Sequence, residues 1–218
     1  MESFSLTKES DRLALVERVF TYPAEPHCRK HGPCGYNDYE SYRDWLRDEF
    51  SYRCVFSLMR ETWPQVRFHI DHLISQKERP DLVCDYDNLI LLEGRLNLVK
   101  GKRRVPDPCR ITLGKCLFVH MHGEQIGQIE GRDEGKIGDQ IIQVLRLDSE
   151  DATQVRRQLI GILRSLAQTD EQLFREFIGY PKNLPDLRKT NVPKNIRKEG
   201  LDQSGYHLRS IGKLLQWY

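Results

Sequence analysis

Between residues 7 and 20 the apolar side chains Leu13, Leu15, Val16 and Val19 follow a helical repeat behind the cap candidates Ser10 and Asp11, which predicts a short helix. Residues 22–36 interrupt the pattern with Pro23, Pro26, Gly32, Pro33 and Gly35, so a loop is expected there. A second helix is predicted over 39–50, where Tyr42, Trp45, Leu46 and Phe50 form an aromatic stripe suited to a core. Residues 54–56 and 66–70 read as strands, and 88–100 as a strand passing into a helix. Segments 116–120 and 125–130, divided by His122-Gly123, predict a small hairpin. Past Gly138 the period becomes helical over 140–147, 151–166 and 170–178. Pro185 and Pro193, set among many basic residues, then predict an extended tail as far as 206–215. The expected class is α+β, divided into an N-terminal helical and loop region (1–50), a core with its hairpin (51–133), a helical region (134–180) and a basic C-terminal tail (181–218).

Composition narrows the class of protein. With 39% hydrophobic and 30% charged residues over 218 positions, the chain can bury a sizeable core and is not of disordered type. No apolar run is much longer than 89–92, far short of a membrane span, so no membrane partner is expected. The first ten residues lack the basic and apolar regions of a secretion signal, so the expected location is cytoplasmic and the six cysteines are expected to be reduced. The net charge of +2 conceals segregation. Seven basic residues against one acid fall between Arg95 and Lys115, eight against three from Lys182 onward, while 38–49 carries five acids against two arginines. Such basic runs are either solvated faces or phosphate contacts.

The segment with the most chemistry is His69-Ile70-Asp71-His72, succeeded by Asp87-Asn88 and then by Asn97 and Lys100-Gly101. A strand ending in Asp-His sets a carboxylate and an imidazole at the lip of a site, and Asn97 and Lys100, three apart on a helix, share a face. Phosphodiester hydrolysis needs a base for water, oxygen ligands for a hard cation and a cation near the phosphate, and these residue types cover all three. Asp and Asn oxygens suit Mg2+, which keeps several waters and asks for few protein ligands.

In this order and spacing the segment resembles the HNH, or ββα-metal, nuclease motif in the form that ends in Asn, over about residues 50–102. The resemblance implies a ββα-metal core between helical extensions and metal-dependent hydrolysis of DNA. It further implies His72 as general base, Asp71 and Asn97 as ligands of Mg2+ or Mn2+, and Asn88 as the residue that fixes the loop bearing the base. Lys100, Lys102, Arg103 and Arg104 are then expected to hold the DNA backbone. Many members carry two CxxC zinc knuckles; here Cys54-Val-Phe-Ser57 and Glu93-Gly-Arg-Leu96 stand instead, so no structural Zn2+ is expected at the core. Ser75 also stands where Pro is usual. More loosely, the chain from Arg79 through the helix over 151–166 is similar to the HNH proteins of bacterial Septu and retron antiphage systems, which act with an ATPase partner. This chain has no Gly-rich phosphate loop, so the resemblance implies a separate ATPase, with 182–218 as the docking segment or, equally, as a helix folded back on the chain's own core.

Two further sets of zinc-type ligands stand apart from the motif: Cys28, His31 and Cys34 with His27 beside them, and Cys109, Cys116, His120 and His122. Neither has a standard spacing, and each set is open to a second reading as packed core residues. His69 lies two residues before Asp71, on the same face of an extended strand, either near the metal or packed. The alternatives to a nuclease are a catalytically weak DNA-binding subunit and a docking subunit of an ATPase complex.

Overall fold

The computed structural model describes residues 6–132, 136–190 and 198–213. In chain order the elements are α1 (Glu9–Val19), α2 (Arg43–Glu49), β1 (Phe68–His72), β2 (Leu89–Glu93), α3 (Gly94–Lys100), α4 (Leu113–Cys116), β3 (Leu117–Val119), β4 (Ile129–Gly131), α5 (Ile137–Leu145), α6 (Glu150–Thr169), α7 (Glu171–Ile178), α8 (Lys198–Asp202) and α9 (Gly205–Ser210). The class is α+β. The chain forms two compact units, with breaks at 25/26, 111/112 and 179/180. The expected boundaries at 50 and 133 are therefore displaced: residues 1–50 divide between the units, and the hairpin groups with the helices after it.

The first unit joins α1 to α4–α7 and the β3–β4 pair, whose register sets Phe118 opposite Glu130. Ser149 caps α6 by accepting from the Ala152 amide, Glu150 and Asp151 complement its N-terminus, and Ile160, Leu163 and Ala167 form its buried stripe. Its Arg156 is fully buried and donates to the carbonyls of Gly127 and Leu147, while Arg157 donates to those of Ile126 and Glu124. These bonds seat the β3–β4 loop on the helix. Gly127 (φ +85°) sits so close to it that an added Cβ would lie 2.7 Å from the Thr153 carbonyl oxygen.

The second unit carries the motif. β1 and β2 pair antiparallel with Asp71 opposite Ile90 and His72 opposite Leu89, and α3 continues directly from β2 and packs on both strands. Leu89, Ile90, Leu91 and Leu92 are all buried, which accounts for an unbroken apolar run where a half-exposed strand would alternate. Behind them lie Tyr42, Trp45 and Leu46, from α2 and the 3₁₀ turn before it.

Three sequence expectations give way here. Residues 54–56 form a buried turn, not a strand: the Cys54 amide donates to the Met59 carbonyl, the Leu58 amide to the Cys54 carbonyl, and Leu58 has a φ of +64°. An apolar run this short serves a buried turn as well as a strand. The first core strand begins at Phe68 instead of Val66, because the Val66 amide still closes a turn onto Trp63 and Gln65 has a φ of +63°. The tail is likewise not extended over the whole stretch before 206, since α8 forms there; α8 and α9 pack on their own unit. The Gly205 amide donates to Asp48 Oδ1 at 2.7 Å, and Arg209 donates to the carbonyls of Pro181 and Lys182. Residues 214–218, the end of the expected docking segment, lie outside the described residues. Among the described residues no helix is long and apolar enough to cross a membrane.

Candidate active site

Asp71 and His72 end β1, and Asn88 holds the loop that leaves the strand. The Asn88 side chain accepts from the Ile74 amide at 2.9 Å and donates to the carbonyls of Ile74 and Leu82 at 3.1 and 3.2 Å, while its own carbonyl accepts from the Leu73 amide. One buried amide thus ties the two ends of the 73–83 loop together. The loop returns the Val83 carbonyl to His72, whose Nε2 lies 3.0 Å from it. A carbonyl only accepts, so Nε2 carries the proton and Nδ1 is the basic nitrogen. Nδ1 meets the Gln76 side-chain amide at 3.3 Å, and the Tyr39 ring stands edge-on to the imidazole.

Asp71, His72, Gln76, Lys77, Lys100 and Lys102, with Ser75 and Gly101, line a cavity of about 240 Å³. Three ammonium groups against one carboxylate make it a place for an anion. Lys100, expected on the DNA-contacting surface, is instead turned inward at 1% exposure. Its Nζ donates to the His72 carbonyl at 2.9 Å and stands 2.9 Å from Asp71 Oδ2. That second contact has the distance of an ion pair without the direction of a hydrogen bond, so Oδ2 is buried with no hydrogen-bond donor among the described residues.

Asn97 does not line this cavity. Its amide meets His69 Nδ1 at 3.4 Å, so the helix residue and the strand residue two before Asp71 are paired with each other. Of the other expected backbone cations, Lys102 is exposed at the cavity rim. Arg103 turns back onto the Val99 and Lys100 carbonyls at the end of α3, and Arg104 is paired with Glu78. A larger groove of about 890 Å³ opens beside His69, lined among others by Arg43, Arg47, Arg67 and Phe68.

The first zinc-type set is not assembled. His31 is fully buried with Nε2 2.8 Å from Asp48 Oδ2, while Cys28 is exposed, and among the described residues no three His, Cys, Asp or Glu side chains converge as a metal site. The segment is used to bury a carboxylate. Glu49, fully buried, accepts from His27, from the amides of Lys30 and His31 and from the Tyr86 hydroxyl. Burial alone would push its pKa up, but the hydrogen bonds from His27 and the two amides outweigh burial and draw it down to about 2. In the second set His120 pairs with Glu130 and His122 with Glu17, while Cys109 belongs to the other unit and its amide donates to Asp107.

Sequence reading missed Gln76, Lys77, Val83 and the inward role of Lys100. Gln76 and Lys77 lie four and five residues after His72, a spacing that signals proximity only if the loop is known to fold back. No protein-family model and no curated protein sequence matches this chain.

Proposed function

We propose that the chain is a metal-dependent endonuclease of the HNH, or ββα-metal, type, hydrolysing phosphodiester bonds in DNA. One observation carries the reading: His72, with Nε2 spent on the Val83 carbonyl, presents a basic Nδ1 beside a cavity that gathers Asp71 and three lysines. A base for water and a cationic seat for phosphate are two of the three parts that this hydrolysis asks of a protein, oxygen ligands for a hard cation being the third. His72 Nδ1 takes the proton from water once the Gln76 amide turns aside, and Asn88 keeps the base-bearing loop from moving. Lys77 and Lys102 hold the phosphate, and their contact is with charge and not sequence.

The donor chemistry of Asp71 fits Mg2+ or Mn2+: Oδ2 is a hard oxygen, buried, and bound by no hydrogen bond among the described residues. Asn97, now against His69, would be the second ligand. Held by these two, the cation would supply charge stabilisation to the phosphorane and the departing 3′ oxygen. The wider resemblance extends the proposal to the nuclease component of a bacterial antiphage system, gated by an ATPase partner.

The test is cleavage of duplex DNA with Mg2+ or Mn2+. The expected result is fragments with 5′-phosphate ends, no cleavage in EDTA, and strong loss in Asp71→Asn. Cleavage unaffected by EDTA and by Asp71→Asn would remove the metal from the proposal. A catalytically weak DNA-binding subunit is the second reading, favoured by one feature: Lys100 stands on Asp71 where a metal would be sought. Tight DNA binding without cleavage under any divalent cation would decide for it.

A further inference from the structure

We infer that Lys100 is the resident counter-cation of Asp71, so that a divalent cation gains the carboxylate only in competition with it; this rests on the reading of Asp71 as a metal ligand. The two links that Lys100 makes are unequal. Its hydrogen bond goes to the His72 carbonyl, whereas Asp71 Oδ2 is held by charge alone at 2.9 Å. The carboxylate can therefore turn toward a metal without breaking a hydrogen bond. The ammonium cannot leave as easily, being 1% exposed and anchored to backbone at the end of α3.

A dication arriving at Asp71 thus meets an ammonium that stays nearby, with Lys77 and Lys102 on the same cavity adding repulsion. Metal affinity is low while the cavity is empty. A phosphate in the cavity offsets the three lysines, so metal and substrate raise each other's affinity by the same factor. The nuclease stays metal-poor away from DNA, and Lys100 positions the site in the meantime, compensating Asp71 and pinning the peptide that carries His72. Lys100 is thus a positioning residue that acts through Asp71.

The test is Mn2+ binding to the full chain without DNA, measured by calorimetry. Lys100→Met should bind Mn2+ tighter than the wild type by about tenfold or more, since like charges a few ångström apart in a partly buried site are worth at least that factor. Adding Asp71→Asn should erase the gain. Equal or weaker binding by Lys100→Met, with Asp71→Asn still reducing affinity, would overturn the role of Lys100 and leave the metal reading standing. If Asp71→Asn changes nothing in either background, the metal reading falls and this inference with it. Should Lys100→Met fail to fold, the wild type labelled with carbon-13 at lysine Cε decides: saturating Mg2+ should shift the Lys100 resonance, assigned by through-bond correlation. A resonance unmoved by Mg2+ that does bind Asp71 would overturn the proposal.

Discussion

His72 reaches its cavity with one nitrogen committed to the Val83 carbonyl, and this fixes which nitrogen can take a proton. Replacing His72 with Gln should therefore not restore activity, since an amide offers no basic nitrogen. Asn88 acts at the same scale but on structure. Asn88→Ala orphans the Ile74 amide and two carbonyls, and should lower unfolding stability by about 2 to 4 kcal/mol in chemical denaturation. Asn88→Ala with unchanged stability would mean that the loop closes by other means. The residues of the motif were legible in sequence because their types are rare together; their partners were not. Nothing local to Lys100 says that its ammonium turns inward to Asp71, or that Asn97 meets His69, because both depend on how α3 lies across β1. The inward Lys100 reverses a charge-based expectation: a cation in a basic run reads as surface, whereas here it neutralises a buried acid.

At the level of elements, hydrophobic period located α1, α5, α6 and α7 of the first unit and the passage from β2 into α3, with ends displaced by a few residues, but not the one-turn α4. It failed where a short apolar run met a buried turn, at Cys54, and where basic and proline-rich composition hid helices, in the tail. Those two helices are held by side-chain bonds that join distant parts of the chain, with Asp48 accepting from Gly205 and bonding His31. Gly200 packs so closely that an added Cβ would collide with the Lys30 carbonyl oxygen. Gly200→Ala should then cost about 1 to 3 kcal/mol and raise hydrogen exchange in α8 and α9, while the exchange of α6 stays unchanged. Equal protection of α8 and α9 in the variant would show that the contact gives way without cost.

For the whole molecule, the deepest acid dependence comes from Glu49. Its folded pKa, about 2 against an ordinary 4.5, is depressed, so its stabilisation is present in full above about pH 4.5 and is lost as pH falls toward 2. The amount is on the order of 3 kcal/mol. Glu49→Gln should flatten the acid limb of stability against pH, and an unchanged limb would place the dependence on other carboxylates. Charge segregation has its own consequence. Lys77→Ala with Lys102→Ala should reduce the slope of log DNA affinity against log salt by roughly one per phosphate contact removed.

The most direct measurement is cleavage of supercoiled plasmid by the wild type and by His72→Ala, side by side in Mg2+ and in Mn2+. The wild type should nick or linearise the plasmid, and the variant should be slower by about 10² to 10⁴ with its DNA affinity nearly unchanged. Equal rates for the two proteins, or no cleavage by the wild type in either metal, would contradict a nuclease centred on His72.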